Sequence, residues 1–118
     1  MMAAGAALAV FGVAVPWAET GILLSVVTLG AVVAFGFNLP LAASAALVGL
    51  FAVFHGYAHG SEIPAAASPL LYGLGFVAAT LVLHGIGIGL GSFAQRSLMQ
   101  RAAGGAIAAA GLLLFVMH

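Results

Sequence analysis

The sequence predicts an all-α fold: a polytopic integral membrane helix bundle with about five transmembrane helices. Three observations carry this. The chain of 118 residues has two acidic and two basic side chains, so 3% of it is charged, where a water-soluble domain carries roughly 25%. Hydrophobic residues make up 65% of it. They run in stretches of about 20 residues, the length that crosses a bilayer core. Short breaks containing proline, asparagine or glutamine separate those stretches.

A single transmembrane domain is expected over 1–118, with helices at about 1–15, 18–36, 39–58, 69–92 and 101–117. The first is rich in Ala, Gly and Val and runs to Pro16, because proline ends a helix or opens the next. It is short for a full crossing and lacks the basic start of a cleavable leader. Trp17 favours the membrane–water boundary, and Glu19 falls in the first turn of the second helix, where a carboxylate suits the dipole. Phe37-Asn38-Leu39-Pro40 makes a tight turn into the third helix. Ser61 to Ser68, with Pro64 and then Pro69, forms the longest loop. Gln95, Arg96, Gln100 and Arg101 mark the last turn.

Arginine favours the cytoplasmic side. Arg96 and Arg101 therefore predict a cytoplasmic last turn, 37–40 turn and N-terminus. The 16–19 turn, the 58–68 loop and the C-terminus then face outward. A formal net charge of zero gives no basis for nucleic-acid binding. The absence of cysteine excludes disulfides, thiolate metal sites and a cysteine nucleophile. No nucleophile–base–acid set stands out, so no enzyme and no tightly bound cofactor is expected. Glu62 with His59 has proton-transfer chemistry, but no substrate-binding features accompany the two.

The ionisable groups concentrate in one stretch. His55, His59 and Glu62 stand at i, i+4 and i+7, on one face if the helix continues that far. Two imidazoles one turn apart can chelate a divalent ion, and a carboxylate a turn further can complete or orient the site. Neutral imidazole suits Ni²⁺, Co²⁺, Cu²⁺ and Zn²⁺ better than Mg²⁺ or Ca²⁺. The plainer alternative is a helix end whose histidines are satisfied by water and carbonyls. His84 lies well inside the fourth hydrophobic segment, where ionisable residues usually face a bundle interior or cavity. It reads either as a hydrogen-bonded packing residue or as a second ligand or relay below the His55/His59 pair. Counting rise from the expected helix ends sets it roughly 10–15 Å from His55 along the membrane normal, a separate station. Glu19 reads as a helix-start residue or as a cation-attracting carboxylate at the outer mouth. Ser25, Thr28, Ser44 and Thr80 can bond their own helix carbonyls and receive no role; the terminal His118 is uninformative.

Gly85, Gly87, Gly89 and Gly91 form two overlapping small-xxx-small patterns, which suit close helix packing or a thin wall beside a pathway. They lack the strand–turn–helix setting of a dinucleotide loop.

Residues 54–64, Phe54-His55-Gly56-Tyr57-Ala58-His59-Gly60-Ser61-Glu62-Ile63-Pro64, resemble the F-H-G-x-A-H-G-x-E signature of the HupE/UreJ family of membrane proteins. Residues 16–30 are similar to its P-x-x-E-x-x-I-x-x-S segment. Residues 72–80, with His84 and Gly85, are similar to its Y-G-x-G-F-x-x-A-T…L-H-x-x-G helix. The family also carries an earlier signature, H-P-x-x-G-x-D-H, on a preceding helix. No aspartate occurs here, so the likeness predicts a chain that is truncated at the N-terminus relative to the family pattern and starts at its second helix.

The resemblance implies a permease of the bacterial inner membrane that carries Ni²⁺ or Co²⁺ for hydrogenase or urease maturation. His55, His59, Glu62 and His84 would be its metal ligands, Glu19 its ion-entry residue, and the lipid bilayer its surround. The other reading is a non-transporting accessory or structural subunit of a larger membrane complex. Its small residues would make close contacts with partners or with further copies of the chain.

Overall fold

The computed structural model describes residues 1–63, 68–93 and 98–117. Pro64, Gln95, Arg96 and His118, which figure in the sequence reading, lie outside them. Within the described residues the chain is all-α, with five helices: α1 (Met2–Val10), α2 (Ala18–Phe35), α3 (Leu41–Ser61), α4 (Pro69–Phe93) and α5 (Leu98–Met117).

Four of these, α2 to α5, are long and apolar enough to cross a membrane. The expected fifth crossing is not among them. α1 has 9 residues, not about 15, and rises only about 14 Å. Its end is set by Gly12, not Pro16. Gly12 takes a left-handed φ of 72°. Its N–H donates to the Ala9 carbonyl at 2.9 Å, and the Val13 N–H reaches back to the Leu8 carbonyl at 2.9 Å. That pair of bonds is a Schellman closure, for which glycine is favoured because it has no Cβ to clash. Gly36 ends α2 in the same way, at φ 66°.

α2 opens on Trp17, which is 77% exposed and has a left-handed φ of 71°. Glu19 occupies the first turn. Pro40 precedes α3, and Pro69 stands first in α4, where its missing N–H costs nothing. α3 runs to Ser61 against an expected end at 58, and α5 starts at Leu98 against an expected 101. The α3 extension follows from packing, since Gly60 is buried against Ala6 and Ala9 of α1 rather than loosening the helix.

α1 pairs with α3, α2 pairs with α5, and a smaller α2–α3 contact joins the pairs. Among the described residues no apolar side chain is fully buried. The buried positions are glycines: Gly5, Gly21, Gly30, Gly56, Gly60, Gly104 and Gly111. This is the inverse of a water-soluble core. Leucine, valine and phenylalanine face outward, where lipid would surround them, and helix backbones meet through glycine. A Cβ on Gly5 would run into the Val53 carbonyl, and one on Gly56 into the Met2 carbonyl. A Cβ on Gly104 would lie 2.6 Å from the Ala34 nitrogen.

α4 differs from the other long helices. None of its membrane-length window is buried, and Gly85, Gly87, Gly89 and Gly91 have nothing within 4 Å beyond their own helix. The close packing expected of this stripe is therefore not made with any described residue of the chain.

Candidate metal centre

The last two turns of α3 carry His55 and His59. The i, i+4 spacing stacks them on one face, with ring centroids 5.0 Å apart and planes at 61°. Gly56 and Gly60, next to them in sequence, face α1 instead and hold that side of α3 against it. The division of labour is periodic: small residues seat the helix, and the adjacent face presents imidazoles. His55 is exposed and His59 half-buried. The His59 ring lies 5.0 Å from that of Phe76 on α4, tilted by 50°.

That contact marks the register between α3 and α4. Moving two turns from Phe76 along α4 reaches His84, and moving one turn from His59 along α3 reaches His55. The helical rise then leaves an axial offset of only about 6 Å between His55 and His84. Met2 of α1, His55 and His59 of α3, and Phe76, Thr80 and His84 of α4 line one cavity of about 270 Å³. His84 thus lines the same cavity as the His55/His59 pair, nearer than the expected separation of roughly 10–15 Å, though the three side chains do not converge on one point. The cause is the longer α3, whose three extra residues carry His55 about 4.5 Å deeper than a helix ending at 58 would.

His84 is hydrogen-bonded to its own helix. Its Nδ1 lies 2.8 Å from the Thr80 carbonyl oxygen one turn earlier. A carbonyl only accepts, so Nδ1 carries the hydrogen in this bond, which leaves Nε2 as the ring nitrogen available to a ligand. A backbone acceptor behind one ring nitrogen is the usual support for an imidazole that binds metal through the other. Thr80, given no role in the sequence reading, supplies that support through its backbone. The Thr80/His84 spacing of four was the available signal. Met2 had none, because it reaches the chamber through the Gly5–Val53 and Gly56–Met2 approaches.

The carboxylates stand apart from the chamber. Glu62 is the exposed cap of α3, its N–H donating to the Ala58 carbonyl at 3.2 Å. Glu19, also exposed, lines a separate depression of about 380 Å³ with Trp17 and Thr20. Gly21 lies against the Phe54 ring, so Glu19 and the histidines share one end of the bundle. Among the described residues no three His, Asp or Glu side chains converge on a single point that could hold an ion. The steeply inclined His55 and His59 rings show why. Two imidazoles that share an ion must bring two ring nitrogens to one point, and here the rings meet edge to face. The second side-chain torsion of histidine is broad, so the rings can turn without moving the backbone.

The chain matches the HupE / UreJ protein family model over residues 1–114. It belongs to the HupE/UreJ family. It is 44% identical over 119 residues to the protein HupE of Rhizobium leguminosarum bv. viciae, an alignment covering 98% of this chain and 62% of that protein. The chain thus spans less than two thirds of the length of this relative. No solved structure matches it. Within this HupE/UreJ chain, both stretches that line the chamber, 54–62 and 72–85, fall inside the matched region.

Proposed function

We propose that this HupE/UreJ chain acts in the permeation of a divalent transition metal, Ni²⁺ or Co²⁺, across the bacterial inner membrane for hydrogenase or urease maturation. The observation that carries the reading is the shared chamber: three histidines line it, and all three sit on helices of membrane-spanning length, α3 and α4. An all-nitrogen donor set of this kind suits Ni²⁺ and Co²⁺ and disfavours Mg²⁺ and Ca²⁺. Glu62 and Glu19, at the end of the bundle nearest His59, raise the local cation concentration and deliver the ion. In this reading that end faces outward and the Arg101 end faces the cytoplasm.

Imidazole binds metal only when unprotonated, so capture weakens as the pH falls and protonation favours release. Proteoliposomes containing the chain are expected to accumulate radiolabelled Ni²⁺ above the level of empty vesicles. Uptake should fall as the pH on the loading side is lowered, and excess Mg²⁺ should not compete. Uptake no greater than in empty vesicles would contradict permeation.

The exposed glycine stripe of α4 favours a second reading, an accessory subunit whose α4 packs on another protein of a larger membrane complex. Stoichiometric co-purification with such a complex, without vesicle uptake, would select it.

A further inference from the structure

The end of the bundle opposite the histidines holds a second polar site. Phe35, Phe37, Asn38, Gln100 and Arg101 line a cavity of about 450 Å³ between the end of α2 and the start of α5. The Arg101 Nε–H donates to the Ala34 carbonyl at 2.9 Å, satisfying one of the carbonyls left open at the α2 C-terminus. A guanidinium has five N–H donors in a rigid fork. This bond uses one, and those on the two terminal nitrogens have no acceptor among the described residues.

Nor do the described acidic side chains supply a counter-charge. These are Glu19 and Glu62. Glu19 lies about 22 Å of helix away along α2 from Ala34. Glu62 caps the far end of α3, about 31 Å of helix from the α2–α3 turn that holds Asn38. This spacing is close to the thickness of a bilayer hydrocarbon core, about 30 Å. With the acids at one membrane surface, Arg101 stands at headgroup depth at the other. The exposed Phe35 and Phe37 rings, with centroids 5.8 Å apart, give the cavity an apolar rim.

We propose that this cavity is a binding site for the headgroup phosphate of an anionic phospholipid. The free fork of Arg101 pairs with two phosphate oxygens, the Asn38 amide hydrogen-bonds the headgroup, and Phe35 and Phe37 pack against the glycerol end of the acyl chains. The aromatic rim favours a lipid over a soluble anion, which needs only the charge.

The test is native mass spectrometry of the detergent-solubilised chain offered equal amounts of phosphatidylglycerol and phosphatidylcholine. The wild-type chain is expected to retain the anionic lipid over the zwitterionic one, with Arg101 contributing about fivefold of that preference, the share of one arginine at a membrane surface. R101Q should lower that ratio about fivefold, and R101K should keep part of it as a point charge without the fork. Equal retention of the two lipids by the wild-type chain would overturn the proposal without recourse to any variant. An unchanged preference in R101Q would also overturn it. Displacement of the lipid by excess inorganic phosphate would make this a soluble-anion site instead, and would equally refute the lipid assignment.

Discussion

Replacing His55 and His59 together by alanine is expected to lower Ni²⁺ affinity by more than about 100-fold, beyond the 10- to 100-fold typical of losing a supporting group. Both rings line the chamber, and their removal leaves His84 as its only imidazole among the described residues. One imidazole cannot chelate. The fold should tolerate the change. His55 is exposed, and the two rings meet each other edge to face, with His59 also against Phe76, while Gly56 and Gly60 seat α3 on α1. Stability in detergent is therefore expected to change by no more than about 1 kcal/mol. Titration calorimetry decides the matter: wild-type-like Ni²⁺ binding by the double variant would remove these residues from the site.

Gly56→Ala is expected to act on the same site by another route. The added methyl meets the Met2 carbonyl, a backbone atom that cannot swing away. α1 has to move off α3, at a cost of about 1–3 kcal/mol for an overpacked contact. Met2 forms part of the chamber wall, so the displacement also opens the site and weakens metal binding. Gly85→Ala is the control. Its Cβ enters open space, and alanine is the better helix former, so stability should hold or rise slightly. The comparison is made by thermal unfolding in detergent. A Gly56→Ala chain as stable as Gly85→Ala would mean that α1 does not seat on α3 as described.

The helical class was legible because membrane-length apolar runs leave few alternatives. The position of α2 was legible from Trp17, Glu19 and Phe37 to Pro40, which mark its ends. The short α1 was not, because Pro16 is the louder breaker and the left-handed turn at Gly12 depends on bonds between residues 8 and 13. The extension of α3 through His59 and Gly60 was likewise hidden. A Gly–x–x–x–Gly pair beside two histidines reads equally as a loosened helix end or as a packing face, and only the presence of α1 decides between them.

The histidine pair itself was readable from i, i+4 spacing. The company it keeps was not. Sequence distance gives Glu62 as the nearest ionisable partner of His59, whereas the fold supplies His84 from another helix. Which residue enters the chamber follows from the α3–α4 register, which the His59–Phe76 ring contact marks among the described residues. Phe76 carries no ionisable group to draw attention to it.

The proposal turns on whether one ion draws its ligands from His55, His59 and His84, which line one cavity without converging on a point. X-ray absorption at the nickel edge of the chain loaded with one equivalent of Ni²⁺ tests it most directly. Three imidazole ligands with metal–nitrogen distances of about 2.0–2.1 Å are expected, falling to two in His84→Ala. An imidazole count in His84→Ala equal to that of the wild-type chain would contradict the shared chamber and return His84 to a packing role.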